Sequence, residues 1–173
     1  ATYRTSKGFI LHSPPTLVMS VFGRIPDVKK TVSSDFKKVG STIEQVGKQT
    51  IKVDLKLLPK VLDKVHKAIT SEKVLSCHDV SEGGLITSVF EMCVGGNCGA
   101  EIKVSGSELL TETTGCFVVE VEDEKIAKSL FKGIPFKILG KTTSIEKIVV
   151  DGLFSVEMDR LEKVWKQPMR EIF

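Results

Sequence analysis

His78-Asp79-Val80-Ser81-Glu82-Gly83-Gly84 is the most informative stretch of this 173-residue chain. A short apolar run, Val74 to Cys77, precedes it, and apolar residues recur at helical spacing from Leu85 to Cys93 after it. This order predicts a strand, a tight turn and a helix. Such a turn directs a carboxylate, a hydroxyl and several unpaired helix-start N–H groups at one point. That arrangement suits a phosphate or a phosphate-bound Mg²⁺.

The residue types of the turn leave two interpretations open. Asp79 is either a ligand of Mg²⁺, directly or through water, or the N-cap of the following helix, and Ser81 either donates to a phosphate or caps the same helix. Gly83 and Gly84 either permit close packing of the turn or let the backbone approach a ligand or a neighbouring domain closely. Glu82 is solvated or interacts with the positive end of the helix dipole.

Composition narrows the class of protein. The chain is 41% apolar and 27% charged, which is typical of one soluble globular domain. Its net charge of +3 is small and its lysines are spread along the chain, so we expect no nucleic-acid partner. The sequence contains no apolar run of about 18 residues, and its N-terminus does not resemble a signal peptide. We therefore expect a cytoplasmic protein without a membrane partner.

The four cysteines form no C-x-x-C pair, and the chain has three histidines, so we do not expect a zinc site. Small thiols in or near the core of a protein from a reducing compartment are the ordinary interpretation.

The hydrophobic pattern along the chain predicts about seven strands and four helices, mixed rather than strictly alternating. This pattern favours an α+β fold, a sheet-and-helix sandwich. We expect an N-terminal arm or connector over residues 1–14 and one domain over residues 15–173. The predicted strands are 17–22, 74–77, 100–104, 116–121, 136–139, 146–150 and 153–158, and the predicted helices are 58–69, 85–93, 126–131 and 161–168.

Several separate stretches, in the same order, resemble one family of enzymes. They are Ser76–Leu85 with its continuation Gly95–Ile102, together with Ile25–Val32, Leu110–Val119 and Leu161–Arg170. They are similar to the C-terminal portion of phosphoribosylformylglycinamidine synthase, also called formylglycinamide ribonucleotide amidotransferase. Its superfamily includes aminoimidazole ribonucleotide (AIR) synthase, selenophosphate synthetase, thiamine monophosphate kinase and a hydrogenase maturation factor. The resemblance implies an AIR synthase C-terminal-domain-like mixed β-sheet packed with helices.

The resemblance implies a function in de novo purine biosynthesis. The family uses ATP and ammonia derived from glutamine to convert formylglycinamide ribonucleotide to formylglycinamidine ribonucleotide, with ATP/ADP and Mg²⁺ in the intact enzyme. Its catalytic histidine and lysine lie in N-terminal nucleotide-binding domains, so we expect no catalytic residue here. The expected partners are those domains, a glutaminase subunit and a small accessory subunit, with a homodimer possible for the isolated chain.

Within this family the turn corresponds to an accessory nucleotide site. The resemblance implies that Asp79, Ser81, Gly83 and Gly84 face the nucleotide phosphates there, with Asp79 directed at the metal. It also implies that the three flanking polar residues, His78, Glu82 and Glu112, lie at an interface between domains.

The enzyme contains two C-terminal domains of this type, and two turns of this chain, Ser81–Gly84 and Glu112–Gly115, resemble those of the second one. The resemblance is to the small form of the enzyme, in which the glutaminase is a separate subunit. The chain departs from the family at two places. Cys116 stands where an arginine is usual. The Leu-Gly-Gly-Ser loop of the family is absent between Ile43 and Glu44, so either this protein has lost the loop or a stretch of the native protein is not part of this sequence. We favour the second alternative, because the join leaves a strand without its turn. Two alternatives remain: another ATP-using, kinase-like enzyme of the superfamily, and a non-catalytic dimerisation module.

Overall fold

A seven-stranded mixed β-sheet organises residues 2–170, the part of the chain that the structure, a computed structural model, describes. Two strands near the beginning, β1 (Thr2–Arg4) and β2 (Ile10–His12), form a separate ribbon. The strands of the main sheet are β3 (Thr42–Val46), β4 (Val74–Asp79), β5 (Gly99–Ile102), β6 (Phe117–Val121), β7 (Phe136–Thr143), β8 (Lys147–Val150) and β9 (Phe154–Glu157). They lie in the order β4-β6-β3-β7-β5-β8-β9, and all neighbours are antiparallel except β5 and β8, which are parallel.

Helices cover both faces of the sheet. They are α1 (Leu58–Thr70), α2 (Gly84–Gly96), α3 (Gly106–Leu109), α4 (Glu124–Leu130) and α5 (Met158–Arg170), and a 3-10 turn spans Val28–Lys30. Side chains of β6 alternate between two cores, since Val118 packs in the core that α2 contributes to and Val119 in the core of α1 and α4. The predicted α+β sandwich is therefore confirmed. No helix within residues 2–170 is both long and apolar enough to cross a membrane.

All four predicted helices are confirmed. In α1, Val61, Val65 and Ala68 are buried and a proline lies in the first turn, where its missing N–H has no helical partner. In α5, Pro168 lies inside the last turn, so the helix continues to Arg170, slightly beyond its predicted end. Residue 1 and residues 171–173, which belong to the predicted arm and domain, lie outside the described residues.

The predicted buried strand over residues 17–22 is wrong. This segment has no regular secondary structure, and Leu17, Val21 and Phe22 are 81%, 94% and 92% exposed. A strand needs a neighbour to pair its backbone N–H and C=O groups, and no strand lies beside this segment among the described residues. An apolar run alone was therefore insufficient to identify a strand of this sheet.

The hydrophobic pattern did not identify β3, in the middle of the main sheet, and it also did not identify β1 and β2 of the separate ribbon. The five residues of β3 are all buried between β6 and β7. The chain continues through the Ile43–Glu44 junction as one strand, so the join does not leave a strand without its turn. A shift of the register against β7 marks that junction, while the pairing with β6 is uninterrupted.

The continuous strand places the side chain of Glu44 in the core. Glu44 is 0% exposed, and neither carboxylate oxygen has a hydrogen-bond partner among the described residues. It is paired with Val119 across β6, so it lies on the face that α1 and α4 cover. Loss of hydration disfavours the charged carboxylate, and burial raises the pKa of Glu44 from 4.5 to about 8.

Glu120 is an equally buried carboxylate whose oxygens are satisfied. It is 0% exposed, and it accepts hydrogen bonds from the backbone N–H groups of Lys37 (2.9 Å) and Lys38 (3.0 Å). The hydroxyls of Ser41 (2.5 Å) and Ser76 (2.8 Å) donate to the same carboxylate. This network connects β6 to β4 and to the segment that leads into β3.

We predict that Glu44 makes the stability of the protein decrease as the pH rises from about 5 to about 8. In this window the folded state retains a proton that the unfolded state releases, because the pKa is about 8 in the fold. Glu44→Gln removes the titrating group. The free energy of unfolding of the variant, relative to that of the wild type, should therefore rise by about 4 kcal/mol as the pH goes from about 5 to about 9. Urea unfolding at a series of pH values measures this difference.

The matched control is Glu101→Gln, which removes an exposed carboxylate from strand β5. Its free energy of unfolding should stay parallel to that of the wild type across the same pH range. A Glu44→Gln variant that also stays parallel would show that Glu44 is not buried as described.

Candidate functional site

The pairing of β4 with β6 brings two turns together at one end of the sheet. Asp79, the last residue of β4, lies opposite Phe117, the first residue of β6. The turn over residues 80–83 therefore lies beside the turn over residues 112–116. We call these two turns, with Asp79 and Gly84, the candidate site.

Backbone hydrogen bonds and one carboxylate fix the first turn. The N–H of Val80 donates to the carbonyl of Cys116 (2.9 Å), and the N–H of Gly84 donates to the carbonyl of Ser81 (3.0 Å). The N–H of Gly83 donates to Oε1 of Glu112 (3.1 Å). Glu112 therefore places its negative charge at the start of α2, where the helix dipole is positive.

The structure excludes the capping roles that the sequence left open for Asp79 and Ser81. The N-cap residue of α2 is Gly83, which adopts a left-handed conformation. Because glycine has no side chain, the N-cap residue itself makes no capping hydrogen bond. The carboxylate from the distant turn, Glu112, bonds the Gly83 N–H instead. Sequence reasoning placed Glu112 at a domain interface and did not identify this contact, because 29 residues separate the two partners.

Asp79 and Ser81 are both directed at solvent. The side chain of Asp79 is 65% exposed, and its Oδ1 lies 3.5 Å from Nδ1 of His78. The hydroxyl of Ser81 is exposed and has no hydrogen-bond partner within the part of the chain that is described. Both oxygen-bearing side chains are thus available to a ligand outside this chain.

The two glycines are required by packing within the chain. Gly83 and Gly84 have φ values of +77° and +73°, which L side chains rarely adopt. A Cβ on Gly84 would lie 2.6 Å from the carbonyl carbon of Leu110 and 2.8 Å from the carbonyl oxygen of Leu109, and a Cβ on Gly83 would overlap Oγ1 of Thr87. Close packing of α2 against α3 explains Gly84, and contact of either glycine with a ligand stays a prediction.

His78 has partners at both ring nitrogens, as expected for a residue that satisfies local hydrogen bonds. Its Nδ1 lies 2.7 Å from the backbone oxygen of Asp79, and its Nε2 lies 3.2 Å from a carboxylate oxygen of Glu91. These contacts hold the imidazole between β4 and α2, while its place at a domain interface, like that of the exposed Glu82, stays a prediction.

The first turn of the candidate site carries negative charge, whereas Lys48 lies beside Thr114 and Gly115 of the second turn. The sequence has no lysine or arginine from residue 74 to residue 102, whereas Asp79, Glu82 and Glu112 are exposed carboxylates. Phosphate groups would therefore need a cation at this place. Mg²⁺ suits it, because this ion is commonly held by one or two carboxylates together with substrate phosphates and water.

The rest of a metal's ligands would come from outside this chain. Among residues 2–170 there is no group of three or more His, Cys, Asp or Glu side chains that could hold a metal ion. Asp79 fits the role of a single hard oxygen ligand, directly or through water. Cys116 supplies no cation, because a thiol is neutral or negatively charged; its side chain is 1% exposed, and burial raises its pKa to about 12.

The mixed sheet with helices on both faces and a glycine-containing acidic turn at one end define an α+β sandwich domain with one open polar end. Residues 30–152 match the family model described as AIR synthase related protein, C-terminal domain. The chain belongs to that family.

Curated relatives extend well beyond this chain. The phosphoribosylformylglycinamidine synthase subunit PurL of Rhodospirillum rubrum is 32% identical over 123 residues, which cover 66% of this chain and 16% of the relative. The subunit of the same name from Deinococcus radiodurans is 25% identical over 201 residues, covering 94% of this chain and 27% of the relative. This chain thus spans less than a third of these relatives. The 201 aligned positions exceed the 173 residues here, so the second relative contains insertions in the aligned region.

Solved structures support the fold. Thermotoga maritima PurL complexed with ADP superposes with a TM-score of 0.67 and 15% identity, over 78% of this chain and 27% of that one. The hydrogenase maturation protein HypE of Escherichia coli superposes with a TM-score of 0.53 and 17% identity, over 72% of this chain and 50% of that one.

We predict that Glu112→Ala lowers the free energy of unfolding by about 1 kcal/mol, because it removes the only side-chain acceptor that the described residues provide for the N–H of Gly83. The control, Glu82→Ala, removes an exposed carboxylate of the same turn that makes no hydrogen bond within residues 2–170. It should change stability by less than about 0.5 kcal/mol. Equal losses in urea unfolding of the two variants would contradict the capping role of Glu112.

Proposed function

We propose that this chain is the second AIR-synthase-like C-terminal domain of a phosphoribosylformylglycinamidine synthase. The observation that supports this most strongly is the family match over residues 30–152, together with relatives that carry the name of that enzyme's PurL subunit. The intact enzyme is then an ATP-dependent carbon–nitrogen ligase of purine biosynthesis in the cytoplasm. It converts formylglycinamide ribonucleotide and ammonia to formylglycinamidine ribonucleotide.

In this proposal the chain contributes no catalytic residue, and its candidate site serves an accessory Mg²⁺–nucleotide site. Asp79 holds the metal with its exposed carboxylate, and Ser81 donates its hydroxyl to a phosphate oxygen. The bound Mg²⁺ neutralises the phosphates that the surrounding carboxylates would otherwise repel. Structures of Thermotoga maritima PurL with ATP and with ADP support a nucleotide as a ligand of the intact enzyme.

The N-terminal nucleotide-binding domains of the same enzyme are the proposed neighbours of this chain. The apolar segment Leu17–Phe22 is exposed, and a cleft of about 780 Å³ follows it, lined by residues that include Ile25, Val32 and Ile69. A neighbouring sheet would pair the backbone of this β-prone segment and bury its side chains. In the isolated chain the same segment would promote homodimers.

A glutaminase subunit and a small accessory subunit complete the proposed assembly. A solved structure of PurLQS from Thermotoga maritima superposes on this chain with a TM-score of 0.64 and 16% identity. The likeness supports the fold, and the subunits named for that complex support the choice of partners.

The first test compares the isolated chain with the completed enzyme. We predict that the 173-residue chain alone has no ammonia-dependent or glutamine-dependent ATPase activity, and that adding the N-terminal domains restores it. A coupled assay for ADP release with formylglycinamide ribonucleotide measures this activity. Turnover by the chain alone would contradict the proposed division of roles, and full-length protein that uses another substrate would favour the kinase-like alternative.

The second test addresses Asp79 in the full-length protein. We predict that Asp79→Ala weakens Mg²⁺–ADP binding at the accessory site about tenfold, or about 1.4 kcal/mol, because it removes the one ligand that this chain is proposed to give the metal. Isothermal titration calorimetry measures this change, with Glu82→Ala as a control that removes a neighbouring exposed carboxylate. Equal affinities for the wild type and Asp79→Ala would contradict the site, and no measurable binding by either would favour the non-catalytic dimerisation module.

A further inference from the structure

Two cysteines lie together at the end of α2 that is remote from the candidate site. Cys93 is in the last turn of this helix, and Cys98 lies just before β5. The backbone between them reverses through Asn97, which adopts a left-handed conformation with φ and ψ of 48°. The N–H of Cys98 donates to the carbonyl of Cys93 (3.2 Å), and the N–H of Asn97 donates to the carbonyl of Val94 (3.4 Å).

This pair of hydrogen bonds is the Schellman pattern of helix termination, with one bond of the 6→1 type and one of the 5→2 type. In this motif the two residues joined by the 6→1 bond characteristically bring their side chains into contact. Here those two residues are Cys93 and Cys98. The motif therefore places two thiols side by side, independently of any property of the sulfur atoms.

The environment of the pair gives the two thiols different roles. Cys93 is 0% exposed and Cys98 is 5% exposed. The Cys93 thiol donates a hydrogen bond to the sulfur of Cys98, which lowers the pKa of Cys98, although burial and the nearby carboxylate of Glu120 oppose this effect. The same hydrogen bond and burial raise the pKa of Cys93. Cys98 is thus the more acidic thiol of the pair, and Cys93 is the hydrogen-bond donor.

We propose that Cys93 and Cys98 form a reversible disulfide when the protein meets a hydroperoxide. Cys98 gives up its thiol proton and its thiolate attacks one peroxide oxygen, so that the O–O bond breaks and Cys98 becomes a sulfenic acid. The hydroxide that leaves takes up the proton that Cys98 released and becomes one water. The sulfur of Cys93 then attacks the sulfur of Cys98, the S–O bond breaks, and a second water leaves with the proton of Cys93. The two thiols lose two electrons in total, and the peroxide gains them.

The other two cysteines do not share this arrangement and serve as internal references. Burial raises the pKa of the Cys77 thiol to about 12, and burial also raises that of Cys116 to about 12. A thiol with so high a pKa reacts slowly with peroxide at neutral pH, because the thiolate is the reactive form. Oxidation of this protein should therefore begin at Cys98.

Peptide mapping of the full-length protein tests this proposal. The protein is exposed to hydrogen peroxide, denatured with iodoacetamide and cleaved after glutamate, which releases the peptide Met92–Glu101 with both cysteines. We expect this peptide to lose two hydrogen atoms, to resist alkylation and to regain two alkylation sites after dithiothreitol. Formation of the disulfide in this peptide should be at least about tenfold faster than oxidation of Cys77 or Cys116.

Two variants assign the roles of the sulfur atoms. In Cys93→Ser, Cys98 should stop at the sulfenic acid, which dimedone captures, while in Cys98→Ser, Cys93 should remain an alkylatable thiol. The proposal would be overturned if peroxide oxidised Cys77 or Cys116 of the wild type while the Met92–Glu101 peptide could still be alkylated at both of its cysteines. Oxidation of Cys98→Ser at the wild-type rate would overturn the assignment of Cys98 as the attacking group.

Discussion

The double pairing of β6 is the constraint on which the rest of the structure depends. This strand lies between β4 and β3, and its side chains alternate between the two cores. The buried carboxylate of Glu120 on the same strand accepts hydrogen bonds from Lys37, Lys38, Ser41 and Ser76, which fixes both neighbours of β6. Because β6 starts opposite the end of β4, this pairing also assembles the candidate site from two turns that are distant in sequence.

Local patterns predicted the elements whose burial is periodic. The helices follow from apolar residues at helical spacing, and β6 follows from a run of β-prone residues. By contrast, Leu17–Phe22 has a stronger strand signal than Thr42–Val46, yet only the second segment joins the sheet. Neighbours decide this outcome: β3 contains Glu44 and Gln45 and is still buried, because strands flank it on both sides.

The candidate site was predictable in its residue types and not in its contacts. The turn after β4 gave Asp79, Ser81 and the two glycines directly from the sequence. The contact between Glu112 and the N–H of Gly83 depends on strand register, which a single sequence does not reveal. That contact changes the interpretation of the site, since it leaves Asp79 without a capping role and available to a metal.

The central claim is that Asp79 faces a Mg²⁺–nucleotide complex that other domains of the enzyme complete. A crystal structure of the full-length protein with ADP and Mn²⁺ in place of Mg²⁺ tests it most directly, because the anomalous signal locates the metal. The account predicts an anomalous peak at about 2.2 Å from a carboxylate oxygen of Asp79, or at about 4 Å with one bridging water. A bound nucleotide whose metal lies elsewhere, with Asp79 facing only solvent, would contradict it.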